Sequence, residues 1–194
     1  MCDQITSNKL DKIDYKKNTL GRSQGVEISV LTKEGKIKFL NAKGEILIKG
    51  KNVIKKYRNY ENANHDSFYK GWFKTGDEGI IDNDGFLKIS GRIKEIINKG
   101  GEKISPFEID EVLLLHKEIE EAVTFSIPNE KYGEVICCAL VLQESSTLND
   151  KKVIEFLMKK ISSFKIPDKI FIIKEIPKNS TGKVKRLDMP YSLG

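Results

Sequence analysis

A single lysine near the end of the chain stands where a positive charge can serve chemistry. Lys183 follows Gly182 in the stretch "KEIPKNSTGKVKR", after an apolar segment. A phosphate-binding P-loop needs a glycine five residues before Gly182 and a serine or threonine after the lysine. Pro177 and Val184 occupy those positions, so this motif is excluded. By itself the stretch is most typical of a surface turn, because asparagine, serine, threonine and glycine all favour turns.

The composition is that of a globular chain with a strongly charged surface. Its 194 residues are 39% hydrophobic and 32% charged, and the net charge is +6. The lysines are spread along the chain among acids, which disfavours nucleic-acid binding but leaves polyanionic small molecules open as ligands. No apolar run reaches the length of a membrane span, and the first residues lack an apolar signal core. We therefore expect a cytoplasmic location, with organellar import left open.

The hydrophobic pattern changes along the chain and predicts an α+β fold in two parts. Residues 1–91 predict a β-rich piece, in which "GVEISVL" alternates like a half-buried strand and "GIIDNDGFLKIS" indicates a hairpin. Residues 92–194 predict a small α+β piece. There Ser105 and Pro106 should open a helix, and Glu108 should complete a capping box.

Side chains able to bind metal or form disulfides do not form a recognisable site. The hairpin turn lacks the calcium-loop spacing and its closing glutamate, and the two histidines lack metal-ligand spacing, so we predict no metal ligands. Cys137 and Cys138 are adjacent in an apolar run. On a strand their side chains point to opposite faces, which predicts two buried, unpaired thiols in a reducing compartment.

Three segments, taken in order, carry a resemblance to one family. "GWFKTGDEG" contains Thr-Gly-Asp, "GRIKEIINKGGEKISPFEIDEVL" follows after one hairpin, and "PKNSTGKVKR" lies near the end. Their order and spacing over about residues 21–187 resemble the C-terminal part of the AMP-forming acyl-CoA synthetases, in the adenylate-forming superfamily. The resemblance implies that residues 1–91 are the β-rich end of the AMP-binding N-terminal domain. Residues 92–194 would then be the small, mobile C-terminal domain.

The resemblance implies a two-step ligase reaction. A carboxylic acid attacks the α-phosphate of ATP to give an acyl-AMP and pyrophosphate, and the thiol of coenzyme A then displaces AMP. The implied ligands are ATP or AMP, coenzyme A and a small carboxylic acid, in a setting such as fatty acid metabolism. Mg²⁺ is implied as well, with its ligands expected in the family's N-terminal part, outside this sequence.

The resemblance also implies roles for particular residues in adenylate formation. Asp77 would accept hydrogen bonds from the ribose hydroxyls, a task suited to an ionised carboxylate. Arg92 would donate to ribose or phosphate oxygens. Lys183 would be the catalytic residue, bridging the substrate carboxylate and the α-phosphate while negative charge builds between them.

Further residues are implied for the step that uses coenzyme A. The small domain would rotate about a hinge at Lys94, two residues after Arg92. Gly100 and Gly101 would line the tunnel for the pantetheine arm, where a side chain would block its approach. Lys103, just beyond them, would meet a phosphate of coenzyme A.

The sequence departs from the family pattern in several places. It contains no phosphate loop ending in Pro-Lys-Gly and no Tyr-x-x-Thr-Glu segment. Asn98 stands where some members carry a second lysine for the thioester step, and Asn129 replaces a common aspartate, in a position that we interpret as structural. We therefore expect a C-terminal fragment or a split gene product that is not catalytic alone.

Two other interpretations remain open at this point. The chain could be a non-catalytic binding module derived from the family, or part of an adenylating enzyme with an acceptor other than coenzyme A. Retention of Asp77, Arg92, Lys94 and Lys183 together favours the enzyme, because a descendant that kept only the fold would not need all four.

Overall fold

A computed structural model describes residues 6–7, 16–58 and 60–193. The chain divides into two compact units, Met1–Lys94 and Glu95–Gly194. The sequence placed the boundary between Gly91 and Arg92, and the compact units separate three residues later. The α+β class expected from the sequence is confirmed, since strands dominate both units and the longer helices belong to the second.

The first unit is built mainly of antiparallel strands. Its elements are β1 (Thr6–Ser7), β2 (Arg22–Ser23), β3 (Glu27–Leu31), β4 (Ile37–Lys38), β5 (Ala42–Lys49), α1 (Glu61–Ser67), β6 (Phe68–Tyr69), β7 (Trp72–Ile81) and β8 (Leu87–Arg92). β1 pairs with β2. The other strands form a six-stranded sheet in the order β4-β3-β5-β7-β6, with β8 also paired to β7. Val30, Ile46 and Ile48 lie at the centre of its core.

The hairpin of β7 and β8 follows the sequence prediction and is held by its turn. Asp82 Oδ1 accepts the backbone N–H groups of Asp84 at 3.0 Å and Phe86 at 2.9 Å. A short aspartate side chain can satisfy turn amides in this way, which fixes the reversal of the chain. A one-residue shift of the register between Glu78 and Gly79 then places Asp77 opposite Arg92 across the strand pair.

The second unit packs helices and short turns around a five-stranded sheet. Its elements are β9 (Ile97–Lys99), β10 (Glu102–Ile104), α2 (Pro106–Leu113), β11 (Ile119–Asn129), β12 (Gly133–Leu142), α3 (Asp150–Met158), β13 (Lys169–Ile172) and α4 (Met189–Leu193), with 3-10 turns at Ser163–Lys165 and Arg186–Asp188. The strand order is β10-β9-β12-β11, and β13 runs parallel to β12. A further 3-10 turn, Ile93–Glu95, spans the boundary between the units.

The two adjacent cysteines lie on opposite faces of β12, as the sequence predicts. Cys138 packs in the cluster that contains Ile109 and Leu157 of the two helices, and Cys137 packs with Phe125 and Met189 on the other face. Both thiols are free and buried. Burial raises the pKa of the Cys137 thiol to about 11 and raises that of Cys138 still further.

The start of α2 corrects one detail of the sequence analysis. Ser105 is the N-cap residue and Pro106 occupies the first turn, but the Ser105 side chain makes no capping hydrogen bond. The half of the predicted capping box that the Ser105 side chain would form is therefore wrong. Glu108 Oε1 lies 2.5 Å from Lys165 Nζ, and this ion pair links the first turn of α2 to the 3-10 turn that follows α3.

Candidate functional site

Asp77 and Arg92 form an ion pair on neighbouring strands of the first unit. Arg92 Nε lies 2.8 Å from Asp77 Oδ1, and Arg92 Nη1 approaches the carbonyl oxygen of Thr75 at 3.4 Å. The Asp77 backbone N–H donates to Thr75 Oγ1 at 3.1 Å. The segment Thr75-Gly76-Asp77 of β7 thus presents its carboxylate beside a guanidinium that is half exposed, with 56% of its side-chain surface open to solvent. A carboxylate acceptor and a forked donor at one spot suit a ligand that carries both hydroxyl groups and phosphate.

Lys94, the residue expected to be the hinge, is the last residue of the first unit. It lies exposed in the 3-10 turn Ile93–Glu95, directly before the point where the chain divides. A hinge needs residues at the end of an element that can absorb a change in backbone dihedral angles. The location agrees with that requirement, and the hinge itself stays a prediction.

Gly100 and Gly101 form the two-residue turn between β9 and β10. The register pairs Lys99 with Glu102, and the glycines have φ of +60° and +88°. Two positive φ angles match the type I′ turn, whose twist suits a hairpin and which strongly favours glycine and asparagine. A Cβ atom on Gly101 would meet nothing within 4 Å, so the conformation of the turn, rather than crowding within the protein, requires glycine there.

Three contacts hold this hairpin against the rest of its unit. The Gly100 N–H donates to the Tyr132 carbonyl oxygen at 2.8 Å, and the Asn98 N–H donates to Glu134 Oε2 at 2.5 Å. Lys99 Nζ lies 2.7 Å from Asp168 Oδ2. The tip of the turn is therefore solvent-exposed while its base is fixed, which suits a surface that a ligand must approach closely.

Two asparagines that depart from the family pattern have different surroundings. Asn129 Oδ1 accepts the backbone N–H groups of Lys131 and Tyr132, both at 3.0 Å, which confirms its interpretation as a structural turn residue. Asn98 lies exposed on β9, in the strand that leads into the glycine turn. Lys103 is exposed on β10, on the other arm of the same hairpin, so it shares a hairpin with the two glycines.

Lys183 lies in a loop that is organised by one asparagine. Asn179 Oδ1 accepts the backbone N–H groups of Thr181 at 3.0 Å and Lys183 at 2.9 Å, and it also accepts the Thr181 hydroxyl. The Asn179 N–H donates to the Lys183 carbonyl oxygen, and Gly182 adopts φ of +76°. The Lys183 side chain itself is exposed, and its ammonium has no partner among the described residues. An internally ordered loop thus presents a cation that has no partner in the part of the chain that the structure describes.

Beyond Lys183 the chain is anchored by a buried arginine that the sequence analysis did not single out. Arg186, with 9% of its side chain exposed, donates through Nε to Glu95 Oε2 at 2.9 Å and through Nη1 to Asp110 Oδ2 at 2.9 Å. It also donates to the carbonyl oxygen of Thr124. Burial raises the pKa of Asp110 above its usual value, while Arg186 and the amide of Thr124 oppose that rise. The sequence signal that could have found this pair is Asp110, an acid next to Ile109 on the buried side of α2, because a buried carboxylate needs a partner.

The residues that the structure describes contain no candidate metal site. No three histidine, cysteine, aspartate or glutamate side chains gather there as a metal-binding group. Among the same residues, no helix has both the length and the apolar character to span a membrane.

Known proteins share this arrangement of elements. Residues 108–183 match the family described as the AMP-binding enzyme C-terminal domain. An oxalate–CoA ligase of Arabidopsis thaliana is 44% identical over 183 residues, which cover 94% of this chain and 36% of that protein. The chain belongs to the adenylate-forming superfamily. An oxalate–CoA ligase of Saccharomyces cerevisiae is 42% identical over 185 residues, covering 94% of this chain and 34% of the relative.

A solved member of this superfamily agrees in structure as well. The o-succinylbenzoate CoA synthetase of Bacillus subtilis, solved with its acyl-adenylate intermediate, superposes with a TM-score of 0.83 at 33% identity, covering 97% of this chain and 38% of that one. The chain spans about a third of the length of the curated relatives that it matches. The activity of the whole relatives is therefore a matter of proposal for this chain.

Proposed function

We propose that the chain supplies the C-terminal part of an acid–CoA ligase, which activates a carboxylic acid with ATP and transfers the acyl group to coenzyme A. The observation that carries this proposal is the exposed ammonium of Lys183, which is unpaired within residues 6–7, 16–58 and 60–193 and is presented by a loop that Asn179 orders. The relatives of this chain include two oxalate–CoA ligases, and oxalate is therefore the first acid to test.

In the first half-reaction, the chain's own groups bind the nucleotide and stabilise developing charge. Asp77 accepts hydrogen bonds from the ribose hydroxyl groups, and Arg92 beside it donates hydrogen bonds to ribose or phosphate oxygens. Lys183 places its ammonium between the attacking carboxylate and the α-phosphate, where negative charge accumulates in the transition state. A partner for Lys183 inside the protein would compete with this role, and none is present among the described residues.

In the second half-reaction, the exposed glycine turn guides the thiol. Gly100 and Gly101 present backbone without side chains, which leaves room for a narrow pantetheine arm. Lys103, exposed on the same hairpin, offers a positive charge to a phosphate of coenzyme A. Rotation about Lys94 exchanges the lysine loop for the glycine turn between the two steps.

A chimera tests the proposal in the context of a complete ligase. The matching segment of the Arabidopsis oxalate–CoA ligase is replaced by this chain, and ATP–pyrophosphate exchange and oxalyl-CoA formation are measured separately. We expect both activities. Lys183→Ala should lower exchange by about 10²–10³-fold, as for loss of one transition-state donor. Thioester formation from supplied acyl-adenylate should be retained.

The matched control is Lys185→Ala, two residues further on. Lys185 is exposed, and its Nζ lies 3.2 Å from Oδ2 of Asp188 in a surface ion pair. Removal of this side chain should therefore leave both half-reactions unchanged. A folded chimera that binds ATP but forms no acyl-adenylate would overturn the proposal and favour a binding module. Acyl-adenylate formation without oxalyl-CoA would instead point to another acceptor.

The chain by itself should not catalyse either step. Lys183, Asp77 and Arg92 supply charge and ribose contacts, but positioning the reacting groups provides much of the rate in such reactions. The relatives are about three times as long. We expect no ATP–pyrophosphate exchange above that of a Lys183→Ala control, and exchange clearly above it would contradict this expectation.

A further inference from the structure

Arg186 is the most extensively bonded cation in the described part of the second unit. Its guanidinium contacts two carboxylates, Glu95 and Asp110, and one backbone carbonyl, that of Thr124. The ring of Phe107 lies 4.6 Å from the Arg186 Cζ atom. A buried side chain with this many partners has little conformational freedom, because each partner restricts the position of the guanidinium.

The partners of Arg186 come from distant parts of the unit. Glu95 is the residue that follows the proposed hinge, Lys94. Asp110 is buried in α2, and its Oδ1 also accepts the Thr124 N–H at 2.6 Å. Arg186, Asp110 and Thr124 thus close a ring of hydrogen bonds that joins α2 to β11, and Glu95 attaches the start of the unit to it.

The same arginine lies three residues after Lys183. Three residues of chain span at most about 11 Å even when fully extended. The other side of the loop is restrained as well, because Lys178 bridges to Val184 and its Nζ lies 2.7 Å from Glu121 Oε2. The backbone of Lys183 therefore cannot move far from the anchor at Arg186 without breaking buried interactions.

Building on the proposed function, we propose that Arg186 is a positioning residue that fixes the Lys183 loop relative to the segment immediately after the hinge. Rotation about Lys94 then moves Glu95, Arg186 and the loop as one body. The rotation therefore brings the Lys183 ammonium to the same position each time. Variation in its distance from the transition state, which would weaken their contact, is kept small.

Arginine suits this task and lysine does not. The guanidinium offers five donors in a planar fork, so it can serve Glu95, Asp110 and the Thr124 carbonyl together. The lysine ammonium keeps the charge but lacks that planar fork, and so cannot reproduce the geometry toward all three acceptors. Arg186→Lys therefore preserves the charge while loosening the anchor, and this separates positioning from electrostatics.

Glu95→Gln separates the hinge link from the anchor. It weakens only the bond toward the segment after Lys94 and leaves the buried pair of Arg186 and Asp110 intact. Glu95 is partly exposed, so this variant should fold like the parent. It keeps the proposal testable if the Arg186 variant folds poorly.

Two measurements test the proposal. Amide hydrogen exchange is followed at Thr181, Gly182 and Lys183 in the full chain, and both half-reactions are measured in the chimera. Arg186→Lys should speed exchange at these amides by about tenfold and slow acyl-adenylate formation by about 10- to 100-fold. It should leave thioester formation from supplied acyl-adenylate unchanged. Glu95→Gln should slow acyl-adenylate formation but keep the amide exchange rates of the parent.

Lys185→Gln is the matched control, because it changes a surface cation next to Arg186 and should alter neither measurement. Equal loss in both half-reactions, or unchanged amide exchange in Arg186→Lys, would overturn the positioning role. An unchanged acyl-adenylate rate in Glu95→Gln would overturn the link to the hinge. A normal rate of acyl-adenylate formation in Lys183→Ala would reject the proposed function instead. Amide hydrogen exchange would still decide whether Arg186 orders the loop.

Discussion

Asp77 and Arg92 oppose each other on antiparallel strands, and the 2.8 Å contact between them is partly open to solvent. Ion pairs of this kind contribute about 0–1 kcal/mol to stability. The pair therefore has little structural value. The Arg92 side chain, 56% exposed, is open to a ligand, and the Asp77 side chain beside it is 21% exposed. The position of the Asp77–Arg92 pair and its small contribution to stability together favour a binding role for the pair over a structural one.

We predict that Asp77→Asn separates stability from binding. The free energy of unfolding of the chain should change by less than about 1 kcal/mol. ATP affinity of the chimera should fall by about 10- to 100-fold, because charge-assisted hydrogen bonds contribute about 1.5–3 kcal/mol. Chemical denaturation and calorimetric titration check the two values. Glu78→Gln, which removes the adjacent 2.8 Å pair with Lys43, is the control and should leave ATP affinity unchanged.

We predict that Gly100→Asn preserves the fold but impairs the thiol step. Asparagine tolerates φ near +60° and is favoured before glycine in a type I′ turn. A Cβ atom there would lie 3.6 Å from Tyr132 Cδ1, an ordinary contact, so denaturation midpoints should match those of the parent. The new side chain should slow transfer to coenzyme A in the chimera while acyl-adenylate formation stays normal. A normal transfer rate would exclude this turn from the pantetheine path.

Gly101→Ala provides the complementary test of the same turn. The left-handed conformation at φ of +88° costs about 1–2 kcal/mol for a residue with a Cβ atom. The chain should therefore lose stability by about that amount, measured by denaturation, although no atom lies within 4 Å of the new methyl group. Unchanged stability would mean that the turn relaxes to another conformation.

The sequence predicted the elements better than it predicted the contacts that position the site. The β7–β8 hairpin and the opposed faces of Cys137 and Cys138 follow from local pattern, because alternation and turn residues act over a few positions. Asp77, Arg92 and Lys183 were found only through motif order. The contacts of Arg186 with Glu95 and Asp110 join residues 91 and 76 positions apart, and no local pattern encodes such a pairing.

We predict that Lys94→Pro separates the two half-reactions. Proline fixes φ near −65°, whereas a hinge must change its backbone dihedral angles. In the chimera one half-reaction should stay near the parent rate and the other should fall. Lys94→Ala is the control, since it removes the exposed side chain and leaves the backbone free. Normal rates for both steps in Lys94→Pro would place the hinge elsewhere.

The last prediction concerns Asp110, whose pKa burial raises and Arg186 lowers. A carboxyl group with a raised pKa in the folded state stabilises that state while it is protonated, and the stabilisation is lost as pH rises through the raised value. Arg186→Met removes the opposing cation, so the pKa of Asp110 should rise further. The stability deficit of this variant should therefore grow as pH rises from the raised pKa of Asp110 in the parent to its still higher pKa in the variant. It should reach about 3–5 kcal/mol near neutral pH, as for a buried carboxylate left without its partner.

Denaturant unfolding of the parent and the variant at about pH 5 and about pH 8 measures this difference. Adding Asp110→Asn to Arg186→Met should abolish most of its pH dependence, because the titrating group is then absent. The same two substitutions form a double-mutant cycle with the parent, which gives the coupling energy between the side chains directly. A deficit that is equal at both pH values would show that Arg186 acts mainly through packing on Phe107, 4.6 Å from its Cζ atom, rather than through the buried carboxylate.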